Sequence, residues 1–186
     1  MDINLEDLVE KGPHTEEEYY ALPDDIRVEL IDGVFYDMAS PTVEHQSLIG
    51  GLLVAISQYI HDNIKNCKVL FDVDTKLFPD KDDTIVRPDL FVVCNPDIID
   101  KRINGAPDWI IEVASPSNAN NDYLRKLSLY KRAGVKEYWI VDPMEQKVLT
   151  YWLPDEEFHL KVYSFTDTVP VGLCEDFSID FSQVQL

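Results

Sequence analysis

The sequence predicts a mixed α/β domain: a core of helix, three strands, helix and strand, with a helix and hairpin before it and a second β hairpin after it. Three observations carry this. Apolar residues recur at helical spacing over roughly 44–63. Runs of branched and aromatic residues at 85–94, 109–114 and 137–142 have the composition of buried strands. A second helical stretch lies between the last two of these.

The elements follow in order. Thr15 with Glu18 three residues on is a capping pattern, and Leu22-Pro23-Asp24-Asp25 ends the short helix that it opens. Strands at 27–31 and 34–38 flank Asp32-Gly33, a strong two-residue hairpin signal. After Ser40-Pro41-Thr42, the residues Leu48, Leu52, Ile56, Tyr59 and Ile60 fall on one helical face. Strands at 68–73 and 85–94 are joined through Pro79-Asp80-Lys81-Asp82-Asp83. Those acids imitate a calcium loop but lack its central glycine and terminal glutamate, so a solvated turn is expected. The 109–114 run is apolar except for Glu112 and reads as a central strand. Asn120 or Asn121 can cap a helix reaching about Arg132, and Gly134 stands where a helix is usually closed. The strand at 137–142 is stopped by Pro143, and 148–153 with 159–165 form the final hairpin. No repeat or linker interrupts the chain, so one domain over 1–186 is expected.

Composition narrows the classes. Hydrophobic residues make up 45% of the 186, enough for a sizeable core. No apolar run reaches the ~18 residues of a membrane helix, and the acidic start is unlike a secretory signal. Three cysteines, Cys67, Cys94 and Cys174, have no metal-type spacing. Cys94 reads as a small buried hydrophobe, and the sparse count as that of a reducing cytoplasm. The net charge of −19 argues against a broad basic surface gripping duplex DNA by counterion release. A nuclease of this charge needs a locally positive cleft.

The chemistry rests on three residues. Asp89 lies in Arg87-Pro88-Asp89-Leu90-Phe91, Glu112 in Ile110-Ile111-Glu112-Val113, and Lys126 on the helix beyond. A carboxylate inside an apolar strand is unfavourable unless it is paired, hydrogen-bonded or bound to a metal. Side chains alternate faces along a strand, so two paired strands can bring both carboxylates to one point. Magnesium takes one or two carboxylates plus water. Such a cation polarises a phosphoryl oxygen and activates water, and a nearby lysine stabilises the anion that forms or orients the attacking water.

With their surroundings these residues are similar to the Uma-type restriction endonuclease family, a branch of the PD-(D/E)XK nuclease superfamily. The matching words are Glu29-Leu30-Ile31-Asp32-Gly33, Ser40-Pro41 with His45-Gln46, and Arg87-Pro88-Asp89. They continue with Ala106-Pro107-Asp108, Glu112-Val113-Ala114-Ser115-Pro116-Ser117, Asp122 with Lys126 and Tyr130, and the stretch from Gly134 to Pro143. The resemblance spans about Glu16 to Leu153. It implies the restriction-endonuclease-like fold, a site for Mg²⁺ or Mn²⁺, and nuclease chemistry, with Asp89 and Glu112 as metal ligands. The superfamily's lysine stands two residues after the second acid, where this chain has Ala114. The family resemblance moves it to Lys126.

Each residue has a plainer role to set beside this. Asp89 can pair with Arg87. Lys126 can pair with Asp122 four residues back, worth only ~0.2–0.5 kcal/mol on a helix surface. Glu29 breaks an apolar strand and His45 begins a helix, so either can support the site, as can Ser115 at a strand exit and Asp122 as a holder of Lys126. Tyr130, Tyr138 and Trp139 are expected to fill the core. No phosphate loop, nucleophile elbow or zinc cluster is present. The expectation is a metal-dependent endonuclease acting on DNA, with a positive groove supplied by Arg87, Arg125, Lys126 and Lys76. A homodimer would supply the two sites of two-strand cutting. The alternatives are an interaction module that keeps the fold without catalysis, and a phosphodiesterase for small nucleotides.

Overall fold

Asp32 (φ 48°) and Gly33 (φ 79°) both adopt left-handed backbone, which a two-residue turn between right-twisted strands requires. In the computed structural model they join β1 (Val28–Ile31) to β2 (Val34–Asp37), with Ile31 opposite Val34. The structure describes residues 12–184 except 24, 116–118 and 158, and leaves out the side chains of 119–122. Helix α1 (Glu16–Tyr20) carries both halves of the Thr15–Glu18 capping box.

Helix α2 (Val43–Asn63) starts where the Thr42 side chain accepts the His45 amide. It buries Leu48, Leu52, Ile56 and Ile60 against Trp109, Ile111, Val113 and Trp139. Helix α3 (Ala119–Ala133) buries Leu127, Leu129 and Tyr130 with Ile110, Tyr138 and Ile140. Odd and even residues of one strand thus go to different helices, as the period of two dictates. The six-stranded sheet lies between α2 and α3.

That sheet contains β3 (Lys68–Leu70), β6 (Leu90–Val93), β8 (Trp109–Val113), β9 (Glu137–Asp142), β10 (Lys147–Trp152) and β11 (His159–Ser164), in the spatial order β11-β10-β9-β8-β6-β3. β8 and β9 are parallel, with α3 as their crossover, and the other pairs are antiparallel. The sequence α2, β3, β6, β8, α3, β9 is the expected core. Gly134 closes α3 at φ 92°, and the Gly134 and Val135 amides both reach the Tyr130 carbonyl, at 3.1 and 3.0 Å.

A second sheet has the order β2-β1-β5-β4-β7, where β4 is Thr75–Lys76, β5 Ile85–Val86 and β7 Ile103–Asn104. A small ribbon of β12 (Thr168–Pro170) and β13 (Ser178–Asp180) adds Val169 and Ile179 to the α2 side of the core.

Four expectations are corrected. The strand expected at 85–94 is two strands in different sheets, broken at Arg87-Pro88-Asp89 where proline cannot donate to a ladder. Asp89 is therefore at a strand entrance, not inside a strand. The strand expected at 68–73 ends at Leu70, where the chain bends toward that break. Asn120 and Asn121 lie inside α3, whose start follows the undescribed 116–118. Finally, Cys94 is not a free hydrophobe. Lys68 opposes Val93 across β3 and β6, which sets Cys67 and Cys94 face to face, and they are joined as a disulfide. The cysteine count therefore no longer argues for a reducing compartment. Among the described residues no helix is long and apolar enough to cross a membrane.

Candidate functional site

The break between β5 and β6 builds one wall of the site. Arg87 donates its amide to Glu29 Oε1 at 2.9 Å, which ties the break to β1. Asp89 then turns its carboxylate inward. Its Oδ2 accepts the Val113 amide at 2.8 Å and meets His45 Nε2 at 3.1 Å. Its Oδ1 has no hydrogen-bond partner among the described residues. The Thr42 cap places His45 on the first turn of α2. Burial pulls the His45 pKa down, but the Asp89 hydrogen bond and charge, with Glu112 behind, outweigh it and raise it.

Glu112 forms the floor. It shares a strand face with Ile110 and so points toward α3. Its Oε1 accepts from Lys126 Nζ at 3.0 Å and from the Tyr130 hydroxyl at 2.6 Å. Among the described residues its Oε2 meets only the Asp89 amide, at 3.4 Å. Lys126 and Tyr130 are four apart on α3 and reach down together. The same ammonium contacts Glu29 Oε1 at 3.1 Å and Oε2 at 3.0 Å.

Glu29, Glu112 and Lys126 are 4%, 5% and 6% exposed. Burial pushes the Glu112 carboxyl up to about 8; the Lys126 charge pulls against that, while Asp89 and Glu29 push further. The Tyr130 phenol is also held well above its ordinary value, by burial and then by the charges of Glu112 and Glu29. The cluster carries more buried negative charge than one lysine balances.

Asp89, Glu112, Lys126, Glu29, His45 and Ser115 all line one cleft of about 690 Å³. The side chain of Asp122 lies outside the described residues. The expected positive groove is corrected. Arg27, Arg87, Arg125 and Lys126 line the cleft against Glu29, Asp37, Glu44, Asp72, Asp89 and Glu112. Lys76 is elsewhere, held by Glu16 at 2.7 Å and Asp82 at 3.0 Å. Asp72 accepts from Arg27 at 3.0 Å and pairs with Arg87 at 3.2 Å, and Arg125 stacks over Tyr36 at 3.9 Å. Tyr130, expected only as core, is a polar partner of Glu112. The signal was its place one helical turn beyond Lys126.

Two carboxylates with unsaturated oxygens suit a hard divalent cation. Among the described residues no group of three or more His, Cys, Asp or Glu is arranged to hold a metal. Asp89 and Glu112 alone match magnesium's habit of taking one or two carboxylates plus water. Burial first, and then the charges of Asp89 and Glu29, raise the Glu112 pKa, and such an ion would favour its ionised form.

Residues 16–182 match the family Uma2, described as "Putative restriction endonuclease". A crystal structure of "a putative nuclease belonging to DUF820" from Anabaena variabilis superimposes with a TM-score of 0.78, at 21% identity, over 92% of this chain and 97% of that one. At that identity the likeness shows the fold. No curated protein matches.

Proposed function

The chain belongs to the Uma2 restriction endonuclease family, and from that membership we propose that it is a metal-dependent nuclease hydrolysing phosphodiester bonds in DNA. Asp89 and Glu112 hold Mg²⁺ or Mn²⁺ in this reading. A bound cation supplies polarisation of the phosphoryl oxygen and a lowered pKa for water.

The chain's own residues do the rest. Lys126 Nζ sets a fixed positive charge beside Glu112, where it steadies the charge that develops on the phosphate or orients the attacking water. Glu29 holds that ammonium in place from the other side. The Tyr130 hydroxyl fixes the Glu112 rotamer, and His45 together with the Val113 amide fixes Asp89. A homodimer would provide the second site for cutting both strands of a duplex.

The observation that carries this reading is Lys126 Nζ at 3.0 Å from both Glu112 and Glu29, on the wall of a cleft that also holds Asp89. The test is cleavage of supercoiled and single-stranded DNA with Mg²⁺ or Mn²⁺ by wild type, Glu112→Ala and Lys126→Ala. Metal-dependent cutting lost in both variants supports the reading. Cutting lost only in Glu112→Ala removes Lys126 from the mechanism. No cutting by wild type favours a small nucleotide phosphodiester as substrate, a reading supported by the acidic balance of the cleft.

A further inference from the structure

The cleft has an apolar rim that hydrolysis does not use. Phe71 is 52% exposed and Met144 51%, and both line the cleft. What sets Phe71 apart from other exposed apolar residues is its place on the wall of the cleft that holds Asp89 and Glu112.

The backbone after Phe71 is also held in place. The next residue, Asp72, adopts left-handed backbone (φ 49°), a region that aspartate enters more readily than most residues. Its amide donates to the Pro88 carbonyl at 3.1 Å, next to Asp89, and its carboxylate is held by Arg27 at 3.0 Å and Arg87 at 3.2 Å. The backbone beside the ring is thus tied to the same loop that carries the first acid.

Those two arginines share their charge with Asp72. The cleft lining sets six acids against four basic residues, which disfavours the many phosphates of a duplex, and the whole chain carries −19. A volume of about 690 Å³ is within the ~300–1,000 Å³ of pockets that enclose small ligands. That is room for unpaired nucleotide units. Bases stack on aromatic side chains in single-strand sites, because every base offers a π-face.

We infer that the cleft takes an unpaired nucleotide of a polynucleotide strand, with Phe71 as the face on which its base stacks. The inference rests on the nuclease reading above and names its substrate class: single-stranded or locally opened nucleic acid. Cutting one strand in this way needs one site only.

The test is direct binding of a short oligonucleotide containing 2-aminopurine, single-stranded or in duplex, in parallel series with Mg²⁺ and with chelator. The proteins are wild type, Phe71→Ala and Phe71→Trp, each checked for fold by circular dichroism. The ring is half exposed, so both variants should fold. The single strand should bind at least about tenfold more tightly than the duplex, with quenching of the probe; Phe71→Ala should lose about tenfold and Phe71→Trp should keep both affinity and quenching. Equal binding of duplex and single strand, or wild-type affinity in Phe71→Ala, overturns the stacking inference and leaves the nuclease reading standing. Wild type binding neither form in either series overturns both.

Discussion

Lys76 and Lys126 are buried alike, at 7% and 6% exposure, and each is gripped by two carboxylates. Their surroundings differ. Asp82 stands in water, and Glu16 also meets Arg102, so the Lys76 cluster is near electrical balance. Burial raises the Glu16 carboxyl, but its bonds to Lys76 and Arg102 win and leave it lowered. Around Lys126 the acids are themselves buried and Asp89 adds another, so Glu112 moves the opposite way. The two acids teach that a held lysine does not mark a functional site. A surplus of buried like charge does, because only a further positive ligand or a proton relieves it.

The largest expected effect breaks the pair apart. Lys126→Met and Glu112→Gln should each lower cleavage at least about 100-fold, while Lys76→Met should leave kcat/KM within about twofold, as a change away from the site does. Equal losses in all three, on one substrate, would erase the distinction.

The next effect is on pH. An unfolded glutamate titrates near 4.5 and Glu112 in the fold near 8. Between these values the folded chain holds the extra proton. Its stabilising effect is complete below the lower value and is lost as pH rises through the upper one. Urea unfolding without divalent cation should therefore show stability falling from about pH 5 to 8, by at most about 1.4 kcal/mol per unit. Glu112→Gln should reduce that slope, leaving the part that the raised His45 contributes above its ordinary value, and Mg²⁺ should flatten it by favouring the ionised form of Glu112. Stability rising across the window would contradict the raised Glu112 pKa.

Tyr130→Phe sharpens the comparison further. It deletes the 2.6 Å bond to Glu112; cleavage should drop about tenfold with a stability change of about 1 kcal/mol. The smallest effect is that of Lys76→Met on stability. Its acids can turn to water, so the cost should be about 1 kcal/mol, read as a fall of about 2–4 °C in Tm.

Some of this was legible in the sequence and some was not. Local chemistry read well: Asp32-Gly33 specifies its turn, Thr42 and the Leu48–Ile60 spacing specify α2, and Glu112 announces itself by standing in an apolar strand. Positions set by distant partners did not. Pro88 marks a break locally, but that the two halves join different sheets depends on distant partners, β1 for one and β8 for the other. Cys67 and Cys94 meet only once the β3–β6 register is known. Lys76 and Lys126 look alike along the chain, and only the partners that folding brings in send one to the cleft. Tyr130 passed as core because a buried phenol reveals its acceptor only in three dimensions.

The Lys126–Glu29 contact spans 97 residues, His45–Asp89 spans 44 and Asp89–Glu112 spans 23. Loop closure on that scale is entropically unfavourable until the surrounding structure rewards it. No fragment ending before α3 contains the cluster, and detachment of either sheet dismantles it. The Val113 amide, donated to Asp89, is therefore a single exchangeable proton whose protection reports whether the entrance of β6 stays docked on β8.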